Sequence, residues 1–342
     1  MLKKNIAAMA LGLLLAARLA YADQAKELTN FEVNQALSPG INYGNVLEAD
    51  PPEGWGLKVE ESDFKVIAAA GFKSVRIPVR WSAKAEDKAP YTIEPAFFVL
   101  ADRAVRAGLN SGLYVIVNMH HYQGMFDNPQ QHQARFLALW KQIAEHYRQY
   151  PSKLLLEILN EPNGKLTTPL WNGIYKDALK VIRESNPSRL VMVDAAEWGG
   201  ASGLVGLTTP RGDDRLIFSF HSYTPMHFTH QGASWVNGSK DWLGTKWSGS
   251  NGEKEEVNQD FRKARDFQRK FNVPIFLGEF GAYKEGNAKS RQLWNENMVQ
   301  TALKYGFSRS YWNFRDEGFG IYDAKAGTWN EPIKAALFQT KK

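Results

Sequence analysis

The chain has 342 residues, 44% of them hydrophobic and 13% aromatic, enough for one large core, since parallel α/β barrels commonly run to about 250 residues or more as a single domain. It contains no cysteine, which excludes disulfides, a thiolate nucleophile and a lipoprotein attachment thiol. The formal net charge of +6 is no nucleic-acid signature, because Lys and Arg are scattered among acids and no basic run is interleaved with aromatics.

Residues 1–22 read as a secretory signal: Lys3 and Lys4 at the start, an apolar stretch over 6–17, and Ala20-Tyr21-Ala22 as a small-residue cleavage site before Asp23. The apolar stretch is too short to span a bilayer and Arg18 interrupts it. Its removal takes Lys3, Lys4 and Arg18 and no acid, and with them half of the net positive charge. Residues 23–342 are expected to be one soluble, monomeric domain, secreted or periplasmic, with no membrane anchor. Eight apolar runs follow, at 40–44, 74–79, 113–119, 154–159, 190–193, 216–221, 274–279 and 309–314, and they read as buried strands. Between them, apolar residues recur at helical spacing over 63–70, 95–107, 131–150, 170–184, 255–270 and 288–304. This alternation predicts an α/β fold, a (β/α)8 TIM barrel. A doubly wound open sheet is the competing architecture, but no G-x-G-x-x-G turn follows the first run. Residues 225–252 are too long for a plain strand-to-helix turn and read as a substrate-facing loop.

In such a barrel, a polar residue just past an apolar run is carried to the C-terminal rim, where catalytic groups collect. Glu161 and Glu279 each occupy such a place. Arg76 falls in the second strand, His120 and His121 end the third, Asn160 ends the fourth, His221 and Tyr223 the sixth, and Trp312 lies on the eighth. One polar strand end is ordinary; strand after strand ending so is a site. The His120-His121 pair is a poor metal site, because adjacent strand residues point to opposite faces and no carboxylate cluster at ligand spacing accompanies it. A Ser nucleophile would need an elbow such as G-x-S-x-G, which is absent. What remains is a carboxylate pair working as acid and base or as nucleophile and acid, with no cofactor and no metal.

The segments N-E-P at 160–162 and G-E-F-G at 278–281, in order with G-I-N-Y-G-N-V-L-E-A (40–49), V-R-I-P-V-R-W (75–81), H-H-Y (120–122), A-A-E-W-G-G (195–200), H-S-Y-T-P-M-H-F-T-H-Q-G-A-S-W (221–235) and W-N-F-R-D-E-G-F-G-I-Y-D (312–323), resemble glycoside hydrolase family 5, the large cellulase and mannanase family. The likeness covers essentially all of residues 23–342 and is strongest to its bacterial endo-β-1,4-glucanases that share the F-T-H-Q-G-A loop, some of which also cleave mannan. It implies Glu161 as general acid/base and Glu279 as nucleophile. It further implies that Arg76 and Tyr223 contact the nucleophile, that Asn160 bonds the sugar 2-hydroxyl, that His120 and His221 support the acid/base and substrate, and that Trp312 is the platform under the sugar before the scissile bond. Asn45 and Glu48 resemble positions that touch upstream sugars. His121, Trp198, His230 and Trp235 join them as substrate-binding candidates. Ser222 and the stretch 313–318 depart from the family pattern, which bears on loop shape and sugar preference.

The residue types suit the chemistry. A retaining glycosidase needs one ionised carboxylate to attack the anomeric carbon and one neutral carboxylic acid to protonate the leaving oxygen, about 5–5.5 Å apart. Sugar faces are apolar and their edges polar, so tryptophan platforms beside Asn, Glu and His match them; the chain has 11 Trp and 13 Tyr. Trp242 and Trp247 divide evenly between this role and packing of the long loop. The expected substrate is a β-linked polysaccharide or oligosaccharide, with β-1,4-glucan foremost and mannan or xyloglucan as alternatives. A non-catalytic carbohydrate-binding barrel is the rival of another class, and a transglycosylase would use the same residues; the carboxylate pair argues against the first and leaves the second open.

Overall fold

The computed structural model describes residues 27–316 and 318–341; the expected signal segment, 1–22, lies outside them. Among the described residues no helix is long and apolar enough to cross a membrane. Eight parallel strands close into a barrel in chain order: β1 Gly40–Asn42, β2 Ser74–Ile77, β3 Tyr114–Asn118, β4 Leu154–Glu157, β5 Val191–Asp194, β6 Leu216–His221, β7 Ile275–Glu279 and β8 Ser308–Tyr311. β1 pairs with both β2 and β8, so no edge is left open. The six expected helices are present as Glu61–Ala69, Pro95–Asn110, Pro129–Tyr147, Thr168–Ser185, Asn251–Phe271 and Ala288–Tyr305. Between β5 and β6 the described chain makes only a 3₁₀ turn, Ala201–Leu204. The expected long loop at 225–252 is broken by a short helix, Met226–Thr229, and a 3₁₀ turn, Ser239–Trp242. The capping box of Ser250 with Glu253 then starts the next helix.

Each strand is buried on both faces, which is why it reads as continuously apolar, yet its alternation sorts two environments. Val75, Ile77, Val115, Val117, Leu154, Leu156, Val191, Val193, Phe218, Phe220, Ile275 and Leu277 belong to the core shared with the helices. Ile116, Leu155, Met192, Ile217 and Phe276 form a second cluster on the barrel axis, closed from below by Val33 and Leu37 of the helix Asn30–Ala36. That helix is pinned beneath the strands by Asn30 and Asn34, whose amides donate to the Leu216 and Ile275 carbonyls at 2.9 Å. Two residues further along the same five strands stand Asn118, Glu157, Asp194, Ser219 and Gly278, all but Gly278 polar, with Asn42, Arg76 and Ser310 beside them. The barrel interior thus passes from apolar at the bottom to ionic at the top, just under the rim.

Candidate active site

Arg76 organises the polar layer. Fully buried, its guanidinium forks onto Glu157 (Nε to Oε2 2.7 Å, Nη2 to Oε1 2.6 Å), reaches Asn160 Oδ1 at 2.7 Å, Asn42 Oδ1 at 3.0 Å and Glu279 Oε1 at 2.7 Å. Charge-assisted bonds of this kind fix geometry as well as contributing energy. Arg76 therefore ties the end of β4 to the end of β7. The second oxygen of Glu279 accepts the Tyr223 hydroxyl at 2.9 Å. Burial pushes the Glu279 carboxyl up, but the charges of His221 and Arg76 and the hydrogen bonds from Tyr223 and Arg76 outweigh it, and the group is held below the usual carboxylate range.

Glu161 stands opposite. Its backbone is left-handed, φ +47°, and its amide donates to Asp194 Oδ2 at 2.9 Å. His221 reaches its carboxylate, Nδ1 to Oε1 2.7 Å, while lying 3.8 Å from Glu279 and 3.5 Å from Asp194. Burial raises the Glu161 carboxyl and the nearby Glu279 charge adds to it, against lowering by His221 and Arg76. For His221 burial favours the neutral ring, yet Asp194, Glu279 and Glu161 together hold its pKa up at about 9. Two local features aim this histidine. A bulge between Phe220 and His221 brings His221 opposite Glu279, and a Cβ on Gly278 would stand 2.7 Å from Ser219 Oγ and 2.8 Å from His221 Nε2. One donor atom each of Glu161, His221 and Glu279 lies within 4.8 Å of the other two. The carboxylate cluster that spacing did not reveal thus assembles across strands. Its donors are already engaged with one another, with Arg76 and with Tyr223.

The structure corrects the sequence-based placement of several residues. Trp312 lies past the end of β8 rather than on it, joined to Asn313 by a cis peptide. Its half-buried indole lies over Gly44, where a Cβ would approach to 2.4 Å, and stacks at 12° on the His120 ring 6.1 Å away. His120 and His121 also lie past their strand, so alternation does not separate them. Their rings meet edge to face at 4.3 Å, with His120 buried and His121 exposed in a left-handed conformation. His120 Nδ1 accepts the Asn118 side-chain NH2 at 3.1 Å, and burial keeps the ring neutral. Glu48 is fully buried and accepts the backbone amides of Asn45 and Val46, with burial pushing its carboxyl up to about 7. It shapes the loop after β1, while Asn45, half-buried, holds Asp316 Oδ2 at 3.1 Å.

Trp198 and Trp235 are 68% and 61% exposed on the rim. Trp235 packs edge-on against Tyr283 at 5.2 Å, and His230 sits between Tyr223 (4.9 Å) and Phe319 (5.4 Å), neutral through burial. Trp247 is a core residue and Trp242 stacks on His227, so the first packs the loop. Sequence reasoning missed Asp194, Glu157, Asn118, Tyr283 and Phe319. Asp194 carried the same signal as Glu161, an acid ending an apolar run, and Glu157 was a charge inside one. Of the eight non-glycine residues with positive φ among the described residues, Asn45, His121, Glu161, Glu197 and Trp198 lie in these rim loops, where strain of this kind gathers at functional sites.

A family model described as cellulase (glycosyl hydrolase family 5) matches residues 31–318. Endoglucanase H of Acetivibrio thermocellus is 33% identical over 318 residues; the match covers 92% of this chain but only 34% of that protein, so the chain spans about a third of its length. The structure of endoglucanase Cel5A from the hyperthermophile Thermotoga maritima superposes with a TM-score of 0.88 at 43% identity, covering 91% of this chain and all of that one. Structures of Thermotoga maritima Cel5A with cellobiose and with mannotriose match at TM-score 0.88 and 42% identity, covering 90% of this chain and all of theirs.

Proposed function

Because the chain belongs to the cellulase family, glycosyl hydrolase family 5, we propose that it is a retaining endo-β-1,4-glucanase that cleaves glucan chains by double displacement. The observation that carries this is the pairing of Glu161 and Glu279. Their nearest oxygens stand within 4.8 Å of each other, with one carboxyl raised and the other held below the ordinary carboxylate range. Inverting enzymes separate their carboxylates by about 6.5–9.5 Å to admit a water.

In this reading Glu279 attacks the anomeric carbon. The glycosidic C–O bond breaks as Glu161 passes its proton to the leaving oxygen, and a covalent glycosyl-enzyme forms. Glu161, now a carboxylate, takes a proton from water, which attacks the same carbon and releases Glu279. Arg76 and Tyr223 keep Glu279 ionised between cycles, and His221 both orients Glu161 and shares its negative charge. Asn160, whose Oδ1 accepts from Arg76, keeps its amide NH2 to donate to the sugar 2-hydroxyl. Trp312 carries the apolar face of that sugar. Mannan-type chains are a second substrate class, favoured by the mannotriose complex of the similar Thermotoga maritima enzyme. The enzyme works outside the cytoplasm as a monomer on polysaccharide or oligosaccharide chains. A 2-fluoro cellobioside with a good leaving group tests the mechanism: peptide mapping should find the label on Glu279, and label elsewhere, or none with a turned-over substrate, refutes the assignment.

A further inference from the structure

Asp194 has no part in the mechanism above, yet it is a wholly buried carboxyl at the reacting end of the barrel. It ends β5, and its main chain is fixed there: its carbonyl accepts Trp171 Nε1 at 2.9 Å, and the next residue, Ala195, donates its amide to Ser219 O at 2.9 Å. Burying an ionisable group is costly, and one placed beside reacting carboxylates calls for a reason.

One of its oxygens makes two contacts, and both lead to Glu161. Oδ2 accepts the Glu161 amide at 2.9 Å, at the point where the chain takes the left-handed φ of +47°. A glutamate adopts that conformation only where its surroundings hold it. The same oxygen lies 3.5 Å from His221 Nε2, a buried nitrogen with no hydrogen-bond partner among the described residues, while Nδ1 on the far side of the ring holds the Glu161 carboxylate at 2.7 Å. Asp194 therefore reaches Glu161 twice, at its main chain directly and at its carboxylate through the imidazole. The triangle is tight. A Cβ on Gly199 would stand 3.0 Å from the His221 ring and 3.1 Å from Glu161 Cγ, and His221 N donates to Gly199 O at 2.7 Å. The other titratable groups facing the ring are Glu279, 3.8 Å from Nδ1, and His120, which burial keeps neutral; Asp194 itself is faced by Glu157 and Arg76. Of the three carboxylates around His221, Glu161 and Glu279 change state in every cycle of the proposed mechanism. Asp194 does not.

We propose that Asp194 is a positioning residue for the acid/base: it pins the Glu161 main chain and, from behind His221, its charge keeps a proton in the Glu161–His221 pair. This rests on the endoglucanase reading. Asp194→Asn leaves an acceptor oxygen in place and removes the charge, whereas Asp194→Ala removes both. The test is the pH dependence of kcat and KM for wild type and the two variants, with melting temperatures, on two substrates. Cellotetraose has a leaving oxygen that needs a proton, and a dinitrophenyl cellobioside has one that does not. On cellotetraose the acid limb of Asp194→Asn should follow wild type, because burial pushes Asp194 up to about 7 and below that it is uncharged in wild type too. The alkaline limb should fall about 1–3 pH units earlier, since the pair has lost the anion that holds its proton. On the dinitrophenyl substrate that gap should narrow. Asp194→Ala should show the same early limb and a lower kcat at every pH, with KM little changed. An alkaline limb that stays in place in Asp194→Asn, one that moves equally on both substrates, or a uniform loss at all pH with a lower melting temperature overturns the positioning role and leaves the endoglucanase reading standing. A wild type inert toward both substrates overturns the two together.

Discussion

Replacing Tyr223 with Phe removes one hydroxyl from one oxygen of Glu279, and its effect can be worked out from the site. That hydroxyl donates at 2.9 Å to a buried carboxylate. A hydrogen bond to a charged group contributes about 1.5–3 kcal/mol, and at 1.36 kcal/mol per pH unit this corresponds to about 1–2 units in the Glu279 pKa. The sign follows from the lowered pKa. The working form of Glu279 is the ionised one, present above its pKa and lost as pH falls through it. Burial already pushes this carboxyl up, and Arg76 and His221 remain to oppose that in the variant. The acid limb of kcat/KM should therefore move to higher pH by about 1–2 units rather than vanish. The alkaline limb reflects proton loss from the Glu161–His221 pair, both raised, and should stay in place as an internal reference. The assay is kcat/KM against pH on an aryl cellobioside, wild type beside Tyr223→Phe. An acid limb that does not move, under a uniformly lowered plateau, would show that Tyr223 serves the sugar rather than the charge of Glu279.

Two further variants separate roles in the pair and its platform. Glu161→Ala should retain most of its glycosylation rate on substrates whose leaving group needs no proton, and added azide should restore turnover by attacking where the base was needed; equal loss on activated and unactivated substrates without azide response counts against Glu161 as the acid/base. Trp312→Ala should weaken transition-state binding by about 1–3 kcal/mol, with Trp312→Phe keeping part of it and melting little changed. A large melting shift with near-normal activity in the folded fraction would make Trp312 a packing residue.

The barrel was legible because parallel strands buried on both faces leave unbroken apolar runs, and all eight are strands in the closed sheet. The ends of the runs were less legible. The run at 154–159 ceases to be strand at Glu157, although Ile158 and Leu159 stay buried, because hydrophobicity marks burial and not hydrogen-bond pairing. The same confusion put Trp312 on β8 and His120 and His121 on β3. Glu161 and Glu279 were found because a charge following an apolar run stands out. Of the polar layer beneath them, Glu157 and Asn118 lie inside the runs, where one polar residue at an axial position looks like an exception until neighbouring strands supply its partners, whereas Asp194 stands at a run's end as Glu161 does. Phe319 and Tyr283 come together only through loop conformation, which strand-level reasoning does not reach.

The ionic upper layer of the barrel also has a consequence for engineering thermal tolerance. Glu157, Glu161, Asp194 and Glu279 crowd one chamber at the top of the barrel with Arg76 and His221 as their cationic partners. Desolvated like charges destabilise the native state, and burial raises Glu161 and Asp194 above their ordinary range. Acids whose native pKa is raised bind more protons folded than unfolded, so this part of the stability declines as pH rises through the raised values. Neutral replacements such as Glu161→Gln relieve that repulsion where the acid would be ionised and, on the proposed mechanism, belong to the class of substitutions that harden an enzyme while silencing it. Screens that select only for heat resistance will be drawn to this chamber, and durable active variants have to be sought instead among the outer helices and at the floor of the barrel around Val33 and Leu37.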